Sequence, residues 1–381
     1  MKFNKNEFGW KEKVGANTNE LPDDVSIKNS LTVGSRLGDI GIYSVAEGYQ
    51  NTASGDYSHA EGDSTEASGE VSHAEGSYTT ASGECSHAEG DSSNSISDVI
   101  SDFSPSTSND VILTAWNENS FSLAKGTSSH VEGIDNLALG DYSHAEGSNT
   151  KASGGYSHAE GADTTASGDF SHAEGSSTEA SGSASHAEGD NTTASGNYSH
   201  VEGIDNLALG DYSHAEGSNT KASGNISHAE GNSTTASGNI SHAEGDWTVA
   251  SGYYSHAEGT GSTASGIASH AEGSGTKASS GNQHVQGKYN IEDTENKYAH
   301  IVGNGTSNTK RSNAHTLDWN GNAWYAGKLS QEGIPTEDKD LVTKKYVDDT
   351  IASQPQISFD TEGNLVVTIG GVTKKFKEIT K

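Results

Sequence analysis

A histidine recurs every 14 residues along most of this chain, and that period limits which folds are possible. The spacing holds at His59, His73 and His87, and again without a slip from His130 to His284. Fifteen of the 17 histidines lie on this lattice. A short, strict period indicates a solenoid, in which each repeat contacts only its neighbours.

Sixteen such units begin between residues 30 and 269, and a half unit follows at 283–287. The stretch HVEGIDNLALGDYSHAEGSNTKASG begins at His130 and occurs again at His200, five units later. A stacked architecture tolerates this kind of duplication because each added unit needs only its two neighbours. The repeat region therefore reads as one continuous stack.

Each unit reads as two short strands and two tight turns, as in SHAEGDSTEASGEV at 58–71. Alternation directs the Ser, Ala and Gly of each strand to one side, and His59 and Glu61 to the other. Stacked coils then form two parallel sheets, and 16 coils at about 4.8 Å each form a rod of roughly 75 Å. The sequence predicts an all-β fold, a parallel β-roll of 14-residue coils.

The interior of such a roll contains only small residues, which limits its stability. Hydrophobic residues make up 30% of the chain, and 47 residues are glycine. A buried carbon contributes about 0.8 kcal/mol, whereas ordering one residue costs about 1–2 kcal/mol of backbone entropy. We therefore expect several copies to associate, and three-fold association is the common solution in fibres. The predicted assembly is a homotrimer.

The face that contacts the partner chains can be predicted from the repeat. The His and Glu positions recur together in 14 units, whereas the outward position of the second strand varies freely. A packed face is constrained in this way, although a solvated acidic stripe is the alternative. We predict that the trimer interface contains Leu31, Val33, His59, Glu61, His73, Glu75, His144, Glu146, His214 and Glu216.

The one interruption of the lattice is an inserted loop at 91–121, which replaces a two-residue turn and is expected to project sideways. It carries Phe103, Trp116 and Phe121 in a chain with 7% aromatic residues. Loops on rigid scaffolds often carry binding, so these three are candidate receptor-binding residues. The alternative is that they form the loop's own small core.

Metal binding and catalysis are less favoured. His59 and Glu61 share a face and both can approach one ion, but a hydrogen-bonded His–Glu ladder explains the repetition better. Pairing of that kind would raise the pKa of His and lower the pKa of Glu. Every Ser–His pair is copied along the rod, whereas an active site is a unique constellation. We expect no metal, no cofactor and no enzymatic activity.

Charge and hydropathy exclude two classes of partner. The net charge of −31 makes nucleic acid an unfavourable partner. No stretch approaches the roughly 20 apolar residues of a membrane helix, and the N-terminus has no apolar signal region, so we expect no membrane insertion. Cys85 is the only cysteine, which leaves no disulfide framework within the chain.

The regions outside the repeats have separate expected roles. Residues 1–29 are expected to attach or cap the rod, and 288–334 to form a β-rich transition. The pattern predicts a short trimerising helix within 335–353, ended by Pro355. Residues 354–381 are expected to form a β-hairpin that caps the trimer.

Two sets of motifs resemble known families. The small-x-Ala-x-Gly coil, especially NSLTVG at 29–34 and NLALG at 136–140, resembles the head repeats of YadA-like trimeric adhesins over about residues 30–287. The resemblance implies a trimer of left-handed parallel β-rolls. The segments 298–329 and 338–351 are similar to tail-fibre proteins of phages of Gram-positive bacteria.

These resemblances imply a structural and host-recognition protein on the outside of a particle or cell. The expected function is that of a phage tail fibre, or the fibre of a phage-tail-like bacteriocin, located in the virion tail. Its partners would be two further copies, a baseplate or fibre-attachment protein and a bacterial cell-surface glycan or protein. The alternatives are a trimeric adhesin on the bacterial cell surface and a glycan-degrading tailspike.

Overall fold

A computed structural model describes residues 31–36 (backbone only), 40–94, 96, 104, 106–109, 112, 116, 121–328, 347, 350, 354–369 and 371–377. The chain divides into two compact units, Met1–Asn322 and Ala323–Lys381. The first contains the repeats and the second contains the C-terminal strands. Leu31 and Val33 lie in a described strand whose side chains are not described. Phe103, residues 1–29 and most of the predicted helix lie outside the described residues, although Val347 and Thr350 are helical.

The first unit is a parallel β-solenoid of 14-residue coils with about 17 turns, which confirms the predicted all-β roll. A coil contains a long strand, a first turn, a short strand and a second turn. In one coil these are His59–Asp63, residues 64–65, Glu66–Ala67 and residues 68–72. Successive long strands pair in parallel with a shift of 14 residues, so that His59 pairs with His73. Every residue therefore lies above its equivalent in the next coil.

The long strands form one sheet, and Val45–Ala53 also supplies a short-strand segment. They are Leu31–Arg36, Val45–Ala53, His59–Asp63, His73–Ser77, His87–Asp91, His130–Ile134, His144–Ser148, His158–Ala162, His172–Ser176, His186–Asp190, His200–Ile204, His214–Ser218, His228–Asn232, His242–Asp246, His256–Thr260, His270–Ala271, His284–Lys288 and Tyr298–Asn304.

The short strands form the second sheet. They are Glu66–Ala67, Thr80–Ala81, Leu123–Ala124, Leu137–Ala138, Lys151–Ala152, Thr165–Ala166, Glu179–Ala180, Thr193–Ala194, Leu207–Ala208, Lys221–Ala222, Thr235–Ala236, Val249–Ala250, Thr263–Ala264 and Lys277–Ala278.

The interior of the rod is a column of alanines with small polar residues around it. Ala60 and Ala67 are fully buried, as are their equivalents in the other complete coils. The inward Ser58 hydroxyl donates to the carbonyl of Gly55 at 2.6 Å, and Ser72 repeats the bond to Gly69 at 2.7 Å. A buried hydroxyl without a partner would cost about 1–3 kcal/mol. The narrow interior can therefore contain serine because the turn carbonyl accepts its hydrogen.

Glycine lies next to the end of most long strands because the coils approach too closely there for a side chain. Gly161 has a φ of 113°, a conformation that residues with a side chain rarely adopt. A Cβ at Gly161 would lie 2.0 Å from the carbonyl oxygen of Gly175 in the next coil. By contrast, a Cβ at Gly155 in the neighbouring turn would make only ordinary contact, 3.5 Å from a carboxylate oxygen of Asp169.

The solenoid continues past Gly287, where the sequence placed its end. Tyr298–Asn304 pairs in parallel with His284–Lys288, and Ile301 is fully buried at the end of the alanine core. Asn313–Asp318 then pairs antiparallel to it and ends the stack. The buried Asp293 accepts hydrogen bonds from Gln283 Nε2 and the Tyr298 amide, both at 2.9 Å. The β-rich transition is therefore partly a further coil.

The second unit contains the strand Ala323–Tyr325 and a three-stranded antiparallel sheet instead of the two-stranded hairpin predicted. The strands are Gln356–Phe359, Leu365–Ile369 and Val372–Phe376. The predicted turn near 362–364 is present, and Asp360 accepts the Asn364 amide at 2.8 Å across it. The third strand was missed because its VTKKF sequence alternates only weakly. No described helix is long and apolar enough to cross a membrane.

The described apolar residues of the inserted loop pack on the rod, whereas the loop was expected to project sideways. Ile96, Ile112, Trp116 and Phe121 form an apolar cluster with the rod residues Leu123, Leu137 and Leu139. Leu137 is fully buried, whereas its equivalent in the duplicated stretch, Leu207, is half-buried. The insertion therefore covers leucines that the bare rod leaves partly open.

We expect Gly161→Ala to destabilise the rod by more than about 2 kcal/mol. A residue with a side chain is strained at the φ of this position, and its Cβ would meet the backbone of the next coil. Urea unfolding followed by circular dichroism measures the change. Gly155→Ala in the same region is the matched control and should change stability by less than about 0.5 kcal/mol. Equal effects of the two variants would contradict the stacking described here.

We expect Phe121→Ala to destabilise the insertion by about 3–5 kcal/mol, because Phe121 is fully buried in the cluster. Limited proteolysis should then cut within 91–121 at a faster rate while the rest of the rod stays intact. Substitution of exposed Ser106 in the same insertion is the control. Unchanged protection of the insertion in Phe121→Ala would argue against the packed cluster.

Candidate functional site

The histidines of the repeat form one continuous stack of imidazole rings. From His59 to His284, successive ring centroids are 4.6–4.9 Å apart and the rings are parallel within 21°. His300 and His315 extend the column with tilted rings. The stack is a direct consequence of in-register parallel pairing, which places the same side chain in every layer.

The glutamates form a second column beside the imidazoles, and we call the two columns the His/Glu face. The distance from His Nε2 to the Glu Oε2 two residues later is 3.5 Å at His73 and 3.8 Å at His59. These distances are too long for hydrogen bonds. None of the 15 stacked Nε2 atoms has a hydrogen-bond partner within the described chain, although each is shielded from solvent. The hydrogen-bonded His–Glu ladder that the sequence favoured is therefore wrong for the single chain.

The geometry of this face does not form a clear metal site. Possible ligand atoms of His73, Glu75 and His87 lie within 4.8 Å of one another, and the arrangement repeats along the rod. A tetrahedral zinc ion holds its ligands about 3.4 Å apart, with the lone pairs directed at the ion. Parallel rings direct their Nε2 lone pairs side by side, and not at a common point. The absence of a metal stays a prediction.

Loss of hydration and stacking lower the pKa values of nine imidazoles, whereas the sequence led us to expect pairing that raises them. The first cause is loss of hydration, and the second is the neighbouring imidazole in the column, whose charge would be repulsive. The groups affected are His73, His87, His144, His172, His186, His214, His242, His256 and His300. The Glu neighbours favour the charged form but do not overcome these two effects.

The structure brings together the described residues of the predicted interface. His59, His73, His144 and His214 and their glutamates lie on one face, and the four histidines are half-buried. The two predicted apolar members, Leu31 and Val33, belong to a strand in register with the same face. Contact of this face with other copies stays a prediction.

The two described candidates for receptor binding, Trp116 and Phe121, are buried. Trp116 is 7% exposed and Phe121 is fully buried, so neither offers a surface to a receptor. This agrees with the alternative that they form the core of the insertion. The sequence shows which residues are aromatic but not which surface covers them, and the role of Phe103, Trp116 and Phe121 in receptor binding stays a prediction.

A second ordered surface was missed in the sequence. In each second turn the residue before the inward serine has a positive φ, near 57° at Tyr142 and Tyr156. We call its apolar members the aromatic edge. They are Tyr43, Tyr57, Val71, Tyr142, Tyr156, Phe170, Tyr198, Tyr212, Ile226, Ile240 and Tyr254, all of them exposed. The period of 14 in large apolar residues before most copies of SHAEG was the signal available.

We expect acid to destabilise the rod. A group whose pKa is lowered on folding stabilises the folded state above its unfolded value, here 6.5, and that contribution is lost as pH falls through the folded value. The melting temperature should be level above about pH 6.5 and fall by more than about 5 °C towards pH 5. The raised pKa values of Glu66 and Glu75 act in the opposite direction, but these are two groups against nine imidazoles.

Thermal unfolding followed by circular dichroism across this pH range measures the effect. A variant with His172→Gln and His186→Gln should lose part of the acid sensitivity, since two of the stacked groups no longer titrate. A melting temperature that rises on acidification would show instead that the imidazoles are paired in their charged form.

Comparison with known proteins agrees with this geometry. A family model described as YadA head domain repeat (2 copies) matches residues 40–65, 173–199 and 229–255. No curated protein matched the chain. YadA-type proteins form homotrimers and bind surface receptors. The matched segments come from the beginning and the later half of the solenoid, and at these residues the chain contains YadA head domain repeats.

Proposed function

We propose that this chain is the subunit of a homotrimeric, surface-exposed fibre that binds a receptor on bacterial cells. The observation that carries the proposal is the regular rod, three segments of which match YadA head domain repeats, with one polar face on which His and Glu recur in 14 units. A rod of stacked coils separates its two ends by a fixed distance, which suits the presentation of a binding region away from an anchor. The repetition gives no unique constellation for catalysis, so we propose no enzymatic role.

The His/Glu face supports association of several copies. Its Nε2 atoms are shielded from solvent and lack partners within the described chain. Shielded polar atoms without partners are costly, so a donor or acceptor from outside the single chain would stabilise them. The interior consists of an alanine column with serine and threonine around it and offers little apolar area per coil. A trimer in which these faces approach one another would supply partners for the Nε2 atoms and additional buried area.

For its location we propose the tail of a phage or of a phage-tail-like bacteriocin. The proposal rests on the resemblance in sequence described above for segments 298–329 and 338–351, which the family match does not cover. A baseplate or fibre-attachment protein would then hold one end of the trimer. The head repeats also favour the second candidate, a trimeric adhesin on a bacterial cell surface.

Two measurements test the assembly and the binding. Analytical ultracentrifugation of the full chain should give the mass of three chains at micromolar concentration. The fluorescently labelled trimer should bind intact cells of a susceptible strain and leave cells of a resistant strain unlabelled. A monomer at these concentrations contradicts the proposed assembly, and equal labelling of both strains contradicts specific receptor binding.

Location is tested separately with an antibody against the rod. In a lysate that contains particles, immunogold should label tails, and the protein should sediment with them. Labelling of the envelope of cells that produce no particles would instead support the surface adhesin.

A further inference from the structure

The aromatic edge is costly for an isolated chain in two ways. The backbone of its residues is in the left-handed region of φ, which large and β-branched residues rarely occupy. They are also more exposed than buried, with Tyr57 at 58% and Phe170 at 63%. A feature that is unfavourable in both backbone and solvation, and is repeated along the rod, calls for a compensating contact.

The other turn of the same coils shows that the backbone does not require these residues. The first-turn residues also have a positive φ, near 57°, but most are of the types that tolerate it. They are Ser64, Asp135, Asn149, Asp163, Ser177, Asn191, Asp205, Asn219, Ser233 and two glycines, with Gln50, Tyr78, Trp247 and Tyr289 as exceptions. Equal geometry with different chemistry indicates that the two edges of the rod face different surroundings.

The packing of the rings indicates what kind of partner fits. Tyr156 stacks on Tyr142 at 4.8 Å and on Phe170 at 5.0 Å between ring centroids, and Tyr198 stacks on Tyr212 at 5.0 Å. The ring faces therefore cover one another, and ring edges point outward. A sugar binds to an open aromatic face, which this arrangement does not offer. Outward ring edges and aliphatic groups suit a packed protein surface instead.

The period and the area of the edge point to another copy of this chain. Between Tyr43 and Tyr254 the edge has a member in eleven of fourteen coils, and a partner that follows it along the rod must have the same rise per coil. Its eleven side chains expose on the order of 1,000 Å², compared with the roughly 800 Å² that each partner contributes to a stable interface. The edge also adjoins the His/Glu face, since Tyr57 is two residues before His59.

We propose that the aromatic edge of each rod packs lengthwise against a neighbouring copy of the same chain and forms the apolar part of the contact between subunits. This inference rests on the proposed homotrimer and adds to it a surface that the sequence did not indicate. The edge supplies the apolar burial that the alanine interior lacks, beside the polar His/Glu face.

The test uses substitutions that suit the backbone and remove only the apolar group. The full chain with Tyr156→Asn, Phe170→Asn, Tyr198→Asn and Tyr212→Asn has asparagine at four left-handed positions, where asparagine is favoured. Its circular dichroism should match the original chain, while the concentration for half-dissociation of the trimer should rise at least 100-fold. Trp247→Asn is the matched control, because Trp247 has the same φ and is 65% exposed but lies on the other edge. It should leave assembly unchanged.

Cys85 offers an independent probe, because it occupies the same second-turn position as the residues of the aromatic edge. It is the only cysteine, has a φ of 55° and is exposed in the single chain. The control is a variant with Cys85→Ser and Ser177→Cys, which moves the cysteine to the other edge. In the assembled protein we expect a bulky maleimide to label Cys85 at least tenfold more slowly than the cysteine of this control. Ser177 is an exposed first-turn residue with a φ of 54°.

The outcomes separate this inference from the proposed function. The contact is supported if the original chain is a trimer with slow labelling of Cys85 and if the variant with four substitutions dissociates. A trimer that labels equally fast at both positions, or that survives the four substitutions, overturns the edge contact and leaves the trimeric fibre standing. A monomeric original chain overturns the assembly and the edge contact together, while binding to cells is measured separately.

Discussion

In-register hydrogen bonding between coils 14 residues apart is the constraint on which the rest of the structure depends. Because His59 pairs with His73 and each later coil repeats the pairing, every position of the repeat becomes a column along the rod. A column of alanine gives a continuous core, and a column of glycine allows carbonyl and Cα to approach closely. The same rule stacks imidazoles that no local preference would bring together.

Columns of like groups also explain the electrostatics of the His/Glu face. An imidazole cation in one layer would be about 4.8 Å from the next, where like charges repel strongly in a partly desolvated setting. Neutral rings stack without this cost, and at His186 the pKa is lowered by burial and by the neighbouring rings. The glutamates are too far away for hydrogen bonds and only moderate the effect. The polar face therefore has unmet hydrogen-bonding capacity that suits a partner.

The two edges and the insertion show how variable positions acquire separate roles on a constant backbone. One edge has mostly serine, asparagine and aspartate, and the other has a row of tyrosine, phenylalanine and isoleucine. The insertion uses Trp116 and Phe121 to cover Leu137, which the duplicated coil leaves partly open at Leu207. These features are consistent with a fibre whose contacts lie along its sides and whose coils are interchangeable units.

The sequence by itself determined the coil. The period of 14, the inward Ser–x–Ala–x–Gly pattern and the outward His59 and Glu61 all follow from alternation and repetition, which are local and need no knowledge of distant contacts. Only the tertiary structure decided what neighbouring coils do to one another. The stacked rings, the lowered pKa values, the burial of Trp116 and the continuation past Gly287 depend on which groups lie within a few ångströms across the stack. Alternation along one strand specifies the side to which a residue points, but not its surroundings.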